Sequence, residues 1–506
     1  MTYPLSSTFA AAFVRRLQSA HTNDEHHLET ATSEIPAYNC FNPADLKHLL
    51  QQGVAQSFTL GTGASIFTQT LLPAILSAQH EVILVTCFWA PSKTLTALSR
   101  ALEELAEERQ AQQAQTGSLP PLRVRICLSS TSFFQKLFHT SSDQGYQYPP
   151  TAWSSKLGLP SAEVLRAGNI DLRVKSLFFL PFSVMHPKFL IVDQQRAFLP
   201  SCNVSWESWL EGCIEVTRSP DGVDDAIDGL LEFYKRVWDR EYEFHRGAPR
   251  DAAQYGASTP SSLIRVEPVE SPAHITINLQ PAPISTTKTI WLPSSHHRNP
   301  RFRLFPWLST PPPPPTPLNI ALQQLFETAH AEIYIQTPDF TSAPALDGIL
   351  EALKRGVNVT IVTSRDMKIH EQLLTAGTTT TWCVRRLVAQ YRKLSLQRIS
   401  TSQSIANRMD DDLEAQLRSL GRLKVAYFRP RRGIVAEEEP IHSHLKLTII
   451  DDEFTVLGSG NMDRASWYTS QELGVLFQSN TLAGLLQTTV QQITTGRLDF
   501  VYESKR

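Results

Sequence analysis

His186-Pro-Lys188-Phe-Leu-Ile-Val-Asp193 recurs later in the chain as His444-Leu-Lys446-Leu-Thr-Ile-Ile-Asp451. An Asn stands 17 positions after each His, within Pro200-Ser201-Cys202-Asn203 and Gly458-Ser459-Gly460-Asn461. A Glu follows at nearly matched intervals, Glu215 and Glu472, with one extra residue in the first copy. A single H-x-K-x4-D is a weak signal, but two copies with matched Asn and Glu make accident implausible. The chain carries a duplicated half-site, and the duplication decides how the rest is read.

Outward from the motifs, the two halves repeat one order of elements. Ile66–Gln79 reads as helix, Glu81–Cys87 as strand, about Lys93 to Gln113 as helix and Leu122–Leu128 as strand. The second half repeats it with a helix at Leu318–His330, a strand at Glu332–Thr337, a helix at Ala343–Arg355 and a strand at Val357–Thr363. That alternation predicts an α/β fold of βαβ units, with a parallel-dominated sheet and helices outside. The motif segments Phe189–Val192 and Leu447–Ile450 read as strands buried on both faces. Each is followed by a turn and a short strand, Arg196–Leu199 or Phe454–Leu457, and an amphipathic helix at about Gly222–Phe244 closes the first repeat.

The expected organisation is an N-terminal extension over 1–59, a first repeat over 60–245, a linker over 246–317 and a second repeat over 318–506. The linker is set by Ser, Thr and Pro, ending in Pro311–Pro315. Such a run favours a polyproline II spacer over the surface, with one added strand at Ile275–Leu279. Met1–Gln18 lacks acidic residues and holds Arg15 and Arg16. It reads either as a transit peptide or as an opening helix capped by Ser6 or Ser7, with Phe9, Phe13 and Leu17 facing inward.

Composition narrows the classes. A chain of 506 residues with 42% apolar and 19% charged residues fits a globular protein of two or more domains. Net charge near −2 offers no bulk attraction to polyanions, so nucleic acid is a disfavoured partner. Six scattered cysteines without CxxC spacing argue against a zinc site and against a disulfide framework, and point to a reducing, intracellular setting. No run reaches the length of a membrane span. The expected setting is cytoplasm or a membrane surface, with mitochondria as the variant that a transit peptide implies.

The motif chemistry suits one phosphate diester. If the repeats pack about a pseudo-twofold axis, His186 and His444 meet on opposite sides of one phosphorus, the geometry of in-line displacement. One neutral imidazole attacks to give a phosphohistidine, and the other protonates the leaving alcohol and then activates water or a second alcohol. Lys188 and Lys446, two residues from each His, lie on the same strand face and neutralise the non-bridging oxygens. Asn203, Asn461, Ser201 and Ser459 are candidate phosphate donors. Glu215 and Glu472 are expected to fix each imidazole tautomer through Nδ1. Asp193 and Asp451 complete the candidate site, expected to anchor the motif backbone or pair with a neighbouring base. No carboxylate cluster suggests a metal, and no cofactor is expected.

With these residues the chain resembles a two-repeat member of the phospholipase D superfamily, whose signature is H-x-K-x4-D followed by G-S-x-N. The second repeat is most similar to the cardiolipin synthase and phosphatidyltransferase branch, through Ile333-Tyr-Ile-Gln-Thr-Pro338, Leu353-Lys-Arg-Gly-Val357 and His444–Asn461. The resemblance implies two α/β/α sandwiches sharing one active-site cleft in a monomer. It also implies a metal-independent ping-pong reaction on a phospholipid, with His186 as nucleophile and His444 as acid and base. Pro200 departs from the family Gly, and the long linker is unusual. The alternatives are a nuclease of the same superfamily, with Arg386, Arg392, Lys393 and Arg398 as the best basic strip, and an inactive scaffold. Phe178, Phe179, Leu180, Phe182 and Val184 read either as acyl-chain contacts or as a buried strand. Arg429, Arg431 and Arg432 read as a solvated loop or a headgroup contact.

Overall fold

The computed structural model describes residues 9–22, 38–131, 145–178, 184–205, 208–219, 225–242, 267–279, 287–294, 312–365, 367–406, 420–433 and 437–504. Two mixed sheets with the same strand order make up the protein. In the first half the order runs 170–176, 122–130, 81–88, 189–192, 196–200, 209–217, 50–62. In the second it runs 423–428, 358–364, 332–337, 447–450, 454–458, 472–478, 287–294. Leu50–Gly53 pairs with Thr287–Ile290 and joins the two sheets edge to edge.

Three expectations change. The sheets are mixed rather than parallel-dominated, because each motif strand leaves its neighbour through a tight hairpin and such hairpins force antiparallel pairing. The repeat boundaries move outward: Leu50–Thr62 begins the first sheet, and Thr287–Ser294, read as linker, is its counterpart in the second. Its Trp291 and Leu292 are buried, and Trp291 Nε1 donates to Ala226 O at 3.0 Å. The proline run is also no free spacer at its end. Pro314 O accepts from Asn319 Nδ2 at 2.9 Å, and Pro315 O lies 2.9 Å from His21 Nε2. The expected added strand at Ile275–Leu279 is present as Ile275–Asn278, pairing with Leu60–Ser57.

Of the two readings for the N-terminus, the described residues Phe9–Thr22 form a helix with Phe13, Val14 and Leu17 buried. Arg16 pairs with Glu327, and Phe9 O accepts from Gln324 Nε2 at 3.1 Å, so the helix packs on the second half. Ser6 and Ser7 lie outside the described residues. Phe178 is buried, so it offers no open acyl contact, while Phe179, Leu180 and Phe182 lie outside the described residues. All six cysteines are buried, and none of them forms a disulfide. No helix among the described residues is long and apolar enough to cross a membrane.

The motif hairpins show why Asp stands where it does. Asp193 and Gln194 have φ of 50° and 55°, and Asp451 and Asp452 have 53° and 51°. Two successive left-handed residues make the turn that matches strand twist, and Asp tolerates that conformation. The Asp193 carboxylate accepts from the backbone N–H groups of Gln79, His80 and Glu81 at 2.7–2.9 Å. Asp451 does the same for His330, Ala331 and Glu332. Each Asp ties its hairpin to the start of the adjacent strand, at the end remote from the motif His.

Candidate active site

Each motif histidine is held by the other half. His186 N donates to Gln471 O at 3.0 Å, and Gln471 N returns a bond to Val184 O at 2.8 Å. His444 N donates to Leu210 O at 2.8 Å, where His442–Ser443 runs parallel to Trp209–Leu210. The side chains repeat the exchange. His186 Nδ1 donates to Glu472 Oε2 at 2.9 Å, and His444 Nδ1 donates to Glu211 Oε1 at 2.9 Å. Nε2 of each ring is thereby left as the reactive nitrogen. The His186 side chain is 13% exposed and that of His444 is 1% exposed.

The carboxylate of the first half is therefore Glu211, and the expectation for Glu215 is corrected. Glu215 accepts from Arg196 Nε at 2.9 Å and Ser57 Oγ at 2.8 Å, and has no bond to either imidazole. The two glutamates share a face of Trp209–Thr217, but four residues of strand separate them by about 13 Å. Matching the His-to-Glu interval misled because the intervening loops differ. In the second half the short helix Arg464–Tyr468 lies between Ser459 and Glu472, and no helix occupies the described part of the first-half loop. Hairpin register identifies the true pair: Ser201 N bonds Gly212 O, and Ser459 N bonds Leu473 O, so Glu211 and Glu472 are equivalent.

The serines also change role. Ser201 Oγ donates to Glu211, and Ser459 Oγ donates to Glu472 Oε2 at 2.5 Å. Their hydroxyl protons are spent on carboxylates, so they position the glutamates and do not donate to a phosphate. Ser466 Oγ adds a further bond to Glu472 Oε1 at 2.7 Å. Asn203 Oδ1 accepts from Phe88 N at 3.1 Å, and Asn461 Nδ2 donates to Asp463 Oδ2 at 3.2 Å. Asp193 stays on its backbone amides, Asp451 adds a pairing with a neighbouring base, His330 Nδ1 at 2.7 Å, and neither bonds His186 or His444.

The cations converge. Lys188 Nζ donates to His186 O at 2.8 Å and Lys446 Nζ to His444 O at 2.7 Å, which places both ammoniums beside the rings. A third, Lys368, has its Nζ 5.8 Å from the Trp209 ring, which itself lies 5.1 Å from the His444 ring. Burial, then Lys188, Lys446 and Lys368, holds His186 well below the usual imidazole range. Burial, then Lys446, Lys368, Lys188 and His186, does the same to His444. Burial pushes the carboxyls of Glu211 and Glu472 up to about 7. Burial also lowers both motif lysines, Lys446 well below its ordinary value. Against burial, Glu371 and Asp339 raise Lys368. A buried cationic cleft whose lysines strain toward the neutral form is stabilised when an anion enters it. Glu211, Lys368 and Trp209 were not singled out in the sequence; a Glu within the apolar strand Trp209–Thr217 was the available signal for the first, and none pointed to the others.

Residues 322–494 match the family model of the cardiolipin synthase, phospholipase D-like domain. That matched stretch contains the second motif, His444 to Asn461. No curated protein matches the chain significantly. Among solved structures, the chain is similar to the phosphatidylserine synthase of Haemophilus influenzae Rd KW20, at 14% identity over 91% of each chain with a TM-score of 0.48. It is also similar to Nuc, a phospholipase D family member of Salmonella typhimurium, at 16% identity over 37% of this chain and 91% of that one, with a TM-score of 0.23.

Proposed function

We propose that this protein is a phosphodiesterase of the phospholipase D type that cleaves or exchanges phospholipid headgroups through a phosphohistidine. The observation that carries the reading is the reciprocal pair His186–Glu472 and His444–Glu211, each bond crossing between the halves. It gives two imidazoles in one cleft, both oriented by Nδ1 and both beside lysines. His186, the more exposed ring and held neutral, suits attack on phosphorus through Nε2. The bond from phosphorus to the leaving alcohol breaks as that oxygen takes a proton from His444. The His444–Glu211 pair can hold that proton near neutrality, because the Glu211 carboxyl is pushed up to about 7. His444 then removes a proton from water or an acceptor alcohol, whose oxygen displaces the imidazole and breaks the phosphorus–nitrogen bond. Lys188 and Lys446 neutralise the non-bridging oxygens throughout.

The phospholipid class is supported by the cardiolipin synthase description of the family model over 322–494. The near-neutral net charge speaks against the nuclease alternative. The test is incubation with phosphatidylglycerol, with phosphatidylcholine plus ethanol, and with single-stranded DNA. Formation of cardiolipin or phosphatidylethanol, or release of headgroup, is the expected result. Cleavage of DNA with every lipid untouched overturns it.

A further inference from the structure

The helix Ile369–Ala376 has its polarity inverted. Its buried residues are Gln372 and Ala376, while Ile369, Leu373 and Leu374 are exposed, the two leucines by 49% and 66%. A helix on a globular surface ordinarily turns leucine inward and amide outward. The inner face explains the reversal. Gln372 Nε2 donates to Asp339 Oδ1 at 2.5 Å and to Met367 O at 2.7 Å, and Gln372 Oε1 accepts from Thr380 N at 2.7 Å. These bonds hold the leucines outward. Trp382, 57% exposed, adds a further exposed apolar residue at the start of the next helix, Thr380–Ala406. Single exposed apolar residues are ordinary, whereas a grouped set marks an interaction surface.

The position of the group says what it meets. The helix begins directly after Lys368, whose ammonium reaches toward Trp209 and so toward His444. Trp209 also contacts His442, at 6.5 Å between rings, which is preceded by Ile441, 49% exposed. Exposed apolar side chains therefore stand next in sequence to Lys368 and to His442, which both contact Trp209 beside His444. Arg365, Arg385 and Arg386 are exposed along the same segment, in which the acidic residues are Asp366 and Glu371. A segment that exposes both apolar residues and arginines is complementary to an anionic lipid surface.

We infer that the face built by Ile369, Leu373, Leu374 and Trp382 docks on an anionic phospholipid bilayer and presents the cleft to it. This rests on the lipid reading above only for the use of the docked state, since docking itself is measurable without turnover. The full-length protein is mixed with vesicles of phosphatidylcholine containing phosphatidylglycerol, and binding is read by flotation. The wild type is expected to bind, and Leu373→Glu with Leu374→Glu is expected to weaken binding at least tenfold. Leu396→Glu, exposed on the same long helix about 21 Å further along, is expected to bind like wild type. Trp382→Phe is expected to remove most of the vesicle-induced change in tryptophan emission. Turnover of a short-chain, monomeric phospholipid is expected to be equal in the double variant and wild type, with vesicle turnover reduced in the variant. Vesicle binding unchanged by the double variant, equal loss in Leu396→Glu, or a wild type that does not bind overturns the inference. So does a dimer that the double variant splits, which would make the occupant a second copy. Binding through this face with no lipid turnover in any form sustains the inference and overturns the reaction proposed above.

Discussion

Glu472 of the second half accepts a hydrogen bond from His186 Nδ1 of the first at 2.9 Å, and Ser459 and Ser466 hold its two oxygens in place. Neither half carries a complete imidazole–carboxylate pair of its own. Under the proposed mechanism both pairs require the halves to be docked, and the strand pairing of Leu50–Gly53 with Thr287–Ile290 joins them.

His186 and His444 are expected to be separable by leaving group. Each change to Ala should lower lipid turnover about a thousandfold or more with the circular dichroism spectrum retained. With a nitrophenyl phosphodiester, whose leaving group needs no proton, His444→Ala should still release a burst of nitrophenolate, and His186→Ala should release none. A burst from His186→Ala reverses the two roles.

The His–Glu pairs make a prediction about stability against pH. In the unfolded chain a Glu loses its proton near 4.5, whereas the folded chain keeps it on Glu211 up to about 7. Between these values the folded state holds a proton at this position that the unfolded state does not, so Glu211 adds stability as pH falls. Glu211→Gln removes that contribution. The variant should therefore lose stability on acidification below 7, by about 1.4 kcal/mol per pH unit relative to wild type. Urea midpoints at pH 5.0, 6.0 and 7.5 measure this, and parallel profiles for the two proteins refute the proton assignment.

Asp193 and Asp451 should behave as structural anchors of unequal weight. The Asp193 side chain is fully buried, and Asp193→Ala leaves the amides of Gln79, His80 and Glu81 without their acceptor and the left-handed turn without its anchor. The expected cost is about 3 kcal/mol or more. The Asp451 amides reach solvent, so Asp451→Ala should cost about 1 kcal/mol. Denaturant unfolding gives both values, and the opposite ranking contradicts the burial argument.

The lysines should carry the charge neutralisation. Lys188→Met and Lys446→Met are each expected to lower kcat by about a hundredfold to a thousandfold, while EDTA leaves the wild type unchanged. Activity that EDTA removes and a divalent cation restores contradicts a mechanism run on lysine cations.

The sequence alone determined the duplication, the βαβ order, and the His and Lys at each centre, because these are encoded in spacing along single strands and in repetition. It also offered backbone anchoring as one role for Asp193 and Asp451, while the left-handed turn that holds them was not legible in it. Only the tertiary structure decided which glutamate serves His444, that the serines face carboxylates, that Lys368 joins the cleft, and that Thr287–Ser294 is a sheet strand. Those facts depend on hairpin register and on contacts between halves. A loop that differs by a few residues shifts the apparent interval without moving the strand partner, so Glu215 could match by count while Glu211 occupies the place.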